Sequence, residues 1–234
     1  MSEPDFGEEK DFTEHLDELK VSLKHSFYVF ALLVIFFFIA SENILRFMQA
    51  DINVGLHGLT PFEVLNVRIG IAAILGLVFS LPVIFNSFIS FAKPGLKEGE
   101  YKILRNYLPV SYLLFLAGSF FSYKVIFKNA VNFFVTFTES SGVDIVWGLS
   151  NTLMLGLRIS VLTGLMFQMP LVILISVKSG LITPKDLKRY RPHVVVGILS
   201  VSALATPPDV LTQVMITIPV FVLYEASIIL ARRV

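Results

Sequence analysis

A chain of 234 residues with 55% hydrophobic and only 16% charged residues is too apolar for a water-soluble domain, in which about a quarter of residues carry charge. The absence of cysteine excludes disulfides, thiolate metal sites and cysteine nucleophiles. A net charge of +1 selects no class of partner, so the placement of charge carries the information. With a mean hydropathy of +0.75, the whole chain, residues 1–234, reads as a single all-α, polytopic membrane domain.

The first residues are acidic and polar, unlike a cleavable signal peptide or an organellar transit peptide, so the first span is expected to act as the insertion signal. Phe12, Leu16, Leu19 and Leu23 then recur at spacings of four, three and four, one stripe of an amphipathic helix. Asp11 and Glu14 form a capping-box pair at its start. Such a helix lies at a membrane surface, continuous or nearly so with the first span, and offers carboxylates to water where the chain enters lipid.

Charges divide the rest into six apolar stretches, with spans expected at about 24–41, 66–92, 106–126, 150–178, 193–206 and 210–231. Pro192 and the Pro207, Pro208 pair leave room for a fifth helix of only about 21 Å, short of a hydrocarbon core of about 30 Å. The sixth uncharged stretch is also short, ending at Glu225 and resuming to Ala231. Two short spans are favoured over a re-entrant hairpin, because an even number of crossings fits the charge bias. Fourteen of the nineteen Lys and Arg residues fall on one side if both termini share it, which predicts cytoplasmic N- and C-termini. The other side then carries residues 42–67, residues 124–150 with Trp147 as an interfacial anchor, and a tight turn at 206–209.

Few polar residues are positioned to carry chemistry. Glu98 and Glu100 sit just past the helix break at Pro94, where acids suit a helix N-terminus. Considered with Glu18, they acquire a second meaning. Two carboxylates at one membrane face can each take an arginine guanidinium in a two-point hydrogen-bonded pair. Arg158 and Glu225 are the intramembrane charges, where an unpaired charge costs several kcal/mol, and Gln168 lies near mid-membrane. Arg158 is expected to snorkel outward, Glu225 to reach Arg232 or water, and Asp209 to cap the sixth span. No metalloprotease, P-loop, nucleophile-elbow or dinucleotide motif is present, and the four histidines are not clustered, so neither a metal site nor an enzyme is expected.

Five motifs, in order, resemble one family. They are Glu14, His15, Leu16, Glu18, Leu19, Lys20 and Leu23; then Phe91, Pro94, Leu96 and Glu100; then Phe167, Gln168, Met169 and Pro170. Gly180, Leu181, Ile182, Thr183, Pro184 and Leu187, with Arg191 and Pro192, follow; Ala205, Thr206, Pro207, Pro208, Asp209, Val210 and Gln213 complete the series. From about Phe12 to Ala231 the chain resembles TatC, the receptor subunit of the twin-arginine protein translocase.

The resemblance implies six spans in a concave, glove-like bundle with two short final helices. It implies binding of the paired arginines of a signal peptide at Glu18 and Glu100, with Lys20 and Phe91 shaping the pocket. It also implies single-span TatA- and TatB-type partners, self-association in a larger complex, a bacterial or archaeal cytoplasmic membrane, and export of folded proteins driven by the protonmotive force. No cofactor and no nucleic acid are implied. The family commonly has arginine where Lys20 stands, and many members carry glutamate where Gln168 stands. A glutamine can bond a partner helix but does not titrate. The alternatives are a small secondary transporter with Arg158, Gln168 and Glu225 along a substrate path, or a scaffold for other membrane subunits; the transporter reading lacks a legible internal repeat.

Overall fold

The computed structural model describes residues 12–52, 54–93, 98–142, 146–205 and 209–232, with the side chains of 12–22, 92, 100 and 205 outside that description. Nine α-helices account for nearly all of the described residues: α1 (Phe12–Asp51), α2 (Glu63–Ala92), α3 (Glu98–Phe121), α4 (Lys128–Ser140), α5 (Leu149–Met166), α6 (Met169–Lys178), α7 (Pro184–Arg189), α8 (Arg191–Ala205) and α9 (Val210–Ala231). Five apolar helical runs are long enough to cross a membrane, and Arg191–Leu204 is a shorter sixth. At 15 residues, α8 is about 22 Å long, as its bounding prolines dictate. At 22 residues, α9 is the shortest of the five full-length runs.

Two helices outlast their apolar stretches. The helix that begins at Phe12 runs unbroken into the first span, and α1 continues to Asp51 rather than stopping near residue 41. No glycine or proline interrupts residues 42–51, and Arg46 bonds Glu42 one turn back at 2.7 Å. The third span likewise passes from α3 through a π-helical turn, Ser122–Phe127, into α4, so much of the expected 124–150 connection is helix. The Gly142 φ of +70° then allows the chain to leave α4.

Small residues set the helix spacing, as they do where lipid supplies no hydrophobic drive for association. Antiparallel α1 and α2 meet along a seam from Ser26, which donates to Ser87 at 2.9 Å, through Phe37 packed at a tilt against Phe79, to Ser41, which accepts from Arg68 at 2.9 Å. Val34 lies in the space that a side chain at Gly76 would fill. Across the bundle, Gly118 makes room for Phe167, and Gly164 brings α5 against the backbone of α3 at Phe115. The Phe127 ring of the π turn lies where a Cβ at Gly156 would come within 2.7 Å.

The end of the bundle near Trp147 is closed by backbone and charge. Leu56 and His57 pair in parallel with Trp147 and Gly148. Buried Glu63 accepts from the amides of Leu59, Thr60 and Ser150, tying the starts of α2 and α5 with one carboxylate. That charge suits both helix N-termini. Asp51, at the end of α1, pairs with Lys124 at 2.9 Å and Lys128 at 3.7 Å. The opposite end carries Lys93, Lys178, Lys185, Lys188 and Arg189, and there α6, α7 and α9 bury Ile173, Leu187, Tyr224 and Ile228 together.

A Cβ at Gly164 would stand 2.9 Å from the Phe115 carbonyl oxygen, an atom that cannot rotate away. Gly164→Val is therefore expected to destabilise the bundle by about 1–3 kcal/mol, the usual cost of overpacking a tight interface. A lowered thermal unfolding midpoint of the detergent-solubilised protein would register it; an unchanged midpoint would mean that α3 and α5 are not in this register.

Candidate functional site

Three groups of polar residues are available to carry function. The first lies at the lysine-rich end. Glu18 and Lys20 belong to the first turns of α1 and Glu100 to the first turn of α3, with their side chains outside the described residues, as are Pro94, Pro207 and Pro208 altogether. Phe91 is half-buried in the last turn of α2. Close by, Lys102 donates to Glu98 at 2.6 Å, and that bond together with the lysine charge holds the Glu98 carboxyl below its ordinary range. Glu98 is thus engaged within its own helix turn.

The second group surrounds Gln168. The span breaks at Phe167 and Gln168, between α5 and α6, and Pro170 has no amide hydrogen to continue the ladder. The Gln168 backbone N–H turns to the Leu165 carbonyl at 3.0 Å, a tighter turn that deprives the Gly164 carbonyl of its ordinary partner. The Gln168 side chain replaces it: Nε2 lies 3.5 Å from the Gly164 oxygen and donates to the Ser111 carbonyl at 3.0 Å. Ser111 Oγ returns a bond to Gln168 Oε1 at 2.5 Å. Both amide hydrogens and the amide oxygen are used, and α3 is fastened to the break. Ser111 was not legible as the partner, because serine at mid-span has no distinctive pattern.

The third group comprises the intramembrane charges. Glu225 does not reach toward Arg232 as expected. It accepts from Arg191 at 2.5 Å, joining the start of α8 to α9. The Arg191–Pro192 pair marks the helix start, so arginine enters beside the α9 turn that bears Glu225, while Arg232 lies beyond the helix end. Asp209 caps α9 as expected, accepting from the Thr212 amide at 2.6 Å. Arg158 is exposed on α5, toward the Trp147 end. A transporter path through Arg158, Gln168 and Glu225 is not assembled: Gln168 is spent on Ser111, Glu225 on Arg191, and Arg158 faces elsewhere. Sequence reasoning also passed over Glu63, although Thr60 three residues before it is a capping-box spacing that could have flagged it. Among the described residues no three His, Asp or Glu side chains converge as a metal site would require.

These features define a multi-pass helical membrane protein whose polar side chains inside the spans join one helix to another. Residues 14–219 match the family described as Sec-independent protein translocase protein (TatC), and the chain belongs to that family. It is 34% identical over 226 residues to the Sec-independent protein translocase protein TatCy of Bacillus subtilis, covering 94% of this chain and 87% of the relative. It is also 34% identical over 222 residues to TatC of Listeria innocua, covering 94% and 90%. Two crystal structures described as the twin arginine translocase receptor TatC superpose with TM-scores of 0.79 and 0.81 at 31% and 30% identity. They cover 93% of this chain in each case, and 98% and 99% of the solved chains. The protein is therefore a subunit of a Sec-independent protein translocase, a family that works in a translocase complex.

Because Gln168 donates to two carbonyls, a carboxylate there would face two acceptors. An ionised Gln168→Glu keeps neither N–H donor and is expected to lower the thermal unfolding midpoint of the detergent-solubilised protein. Ser111→Ala, which removes one bond, is expected to cost about 1 kcal/mol at any pH. Thermal unfolding of both variants checks this; an unchanged midpoint for Gln168→Glu would place the side chain away from Ser111.

Proposed function

We propose that this chain is the signal-peptide receptor of its translocase, holding the paired arginines of a twin-arginine signal peptide at Glu18 and Glu100. Lys20 and Phe91 shape the pocket. The lysine-rich end faces the cytoplasm with both termini, as the positive-inside rule favours. The chain acts as one membrane domain in the cytoplasmic membrane of a bacterium or archaeon and assembles with further copies and with TatA- and TatB-type single-span proteins. The protonmotive force drives the export of folded cargo.

One observation carries the reading: the likeness, over nine-tenths of the chain, to solved structures described as twin arginine translocase receptors. The helix arrangement supports it. The Ser26–Ser87 contact brings the lower turns of α1 beside the end of α2, from which the chain leads directly into α3. Elements bearing Glu18 and Glu100 thus belong to one end of the bundle. Glu98 is occupied by Lys102 within its own turn. An arginine fork meets a carboxylate with two parallel bonds, whereas lysine offers one charge and no fork.

Binding of a labelled twin-arginine signal peptide to the reconstituted protein tests this. Each single alanine variant, Glu18→Ala or Glu100→Ala, is expected to weaken binding roughly tenfold or more, the effect of losing a charge-assisted bidentate contact. Replacing both peptide arginines by lysine should mimic the double variant. Wild-type affinity in the double alanine variant, or indifference to the lysine peptide, would overturn the assignment.

A further inference from the structure

A cavity of about 690 Å³ opens at the Trp147 end, between α4, the first three turns of α5, and the ends of α8 and α9. One wall is a single face of α5, on which Asn151, Leu155 and Arg158 follow at i, i+4 and i+7. Arg158 is exposed, while Gly156, Leu157, Ile159 and Ser160 around it are buried. Among the described residues it has no ion-pair or hydrogen-bond partner. Asp209 is the other charged residue that lines the cavity, and its carboxylate is committed to the start of α9: Oδ1 accepts from the Thr212 amide at 2.6 Å, and Oδ2 is buried out of reach. The cavity thus presents a guanidinium with no counter-charge, in a membrane protein where an unmatched charge is costly.

Depth points to what meets that charge. Arg158 and Lys178 stand twenty positions apart on one broken span, α5 and α6, a separation of about 30 Å at 1.5 Å per residue. A hydrocarbon core is about as thick. With Lys178 at one head-group level, Arg158 therefore stands at the other. Helical side chains lean toward the helix N-terminus, so its guanidinium reaches away from the core and toward the level of the lipid phosphates. Leu204, 89% exposed, lines the cavity and opens it to acyl chains. The cavity is confined to one end of the bundle, whereas a transmembrane helix from a partner would need a groove of about 30 Å.

We propose that Arg158 makes this cavity a phospholipid site, in which the guanidinium holds the lipid phosphate and the apolar walls receive an acyl chain. The guanidinium fork takes two phosphate oxygens at once. It reads the phosphodiester that glycerophospholipids share, not the alcohol beyond it, and a diacylglycerol with the same chains offers only a hydroxyl. The lipid supplies the counter-charge that the chain itself does not place beside Arg158. The inference goes beyond the receptor reading and holds whichever side of the membrane the Trp147 end faces.

Trp147, the sole tryptophan of the chain, lines the cavity and is the reporter. The full chain in a nonionic maltoside detergent is titrated with lipids that carry brominated acyl chains, and tryptophan quenching is followed. Brominated phosphatidylglycerol and brominated phosphatidylcholine are each expected to quench at about tenfold lower mole fraction than brominated diacylglycerol, the preference that a charge-assisted hydrogen bond supplies. Arg158→Gln should abolish that preference, whereas Lys128→Gln, which removes a half-exposed cation at the same end of the bundle, should keep it. Glutamine is a good helix former and Arg158 has no partner within the chain to lose; thermal unfolding of both variants checks the fold. Equal quenching by the three lipids in the wild type, or a preference that survives Arg158→Gln, overturns the proposal. A preference confined to phosphatidylglycerol overturns it as well, because net charge and not phosphate would then be read. Displacement of that lipid by millimolar inorganic phosphate would make the site one for a soluble anion and overturn the assignment to lipid.

Discussion

In a bilayer, a backbone group released from a helix has no water to turn to, so every break in a span needs a replacement partner from the protein. The break between α5 and α6 is where this constraint acts most strongly. A tightened turn at Gln168 and the missing amide of Pro170 free carbonyls in the middle of a span. The Gln168 side chain covers one of them and reaches across to Ser111 on α3. That reach requires α3 and α5 to lie close together, which the missing side chain of Gly164 permits. Hydrogen-bond satisfaction and close packing are one arrangement here, because neither is available without the other. It also explains why glutamine suits this chain: its amide donates to two carbonyls, and an ionised glutamate donates to none.

Features that depend on local chain chemistry were legible before the fold was known. Apolar length found the spans, Pro192 and Pro207–Pro208 bounded the short α8, and a polar residue after two prolines identified Asp209 as a cap. The stripe beginning at Phe12 foretold a helix entering the first span without interruption. What escaped were partnerships between distant segments. Glu225 pairs with Arg191 across 34 positions, and Ser111 with Gln168 across 57. Periodicity reports which way a residue faces, not which helix it will meet. Helix ends were misjudged for a related reason. Charged residues ended the apolar stretches near residues 41 and 123, but Arg46, Asp51, Lys124 and Lys128 satisfy one another or their neighbours, and the helices run on past the apolar limit. Of the expected receptor residues, Phe91 is located on α2, and the backbones of Glu18, Lys20 and Glu100 on α1 and α3; their ligand geometry is what binding experiments address.

The two ends of the bundle obey different physics. At the Trp147 end, charge is consumed internally: Glu63 joins two helix starts, and Asp51 draws in Lys124 and Lys128. A cap of this kind holds the ends of α1, α2, α4 and α5 together. At the other end, Lys93 and Lys178 rest against the rings of Tyr101 and Tyr107, and Glu98 pairs only within its own turn. The Lys178–Tyr107 contact joins α6 to α3 and Arg191–Glu225 joins α8 to α9, whereas the exposed Glu98–Lys102 pair contributes little to stability.

Intramembrane polar residues make the same point from inside the bilayer. Gln168 is matched by Ser111 and Glu225 by Arg191, each bond joining two helices that would otherwise meet only through apolar contact. Arg158 stands apart, exposed on a face whose neighbours are buried and opening on a cavity rather than a helix. Were Arg158 there for packing alone, an apolar residue would serve α5 without placing a charge near the membrane.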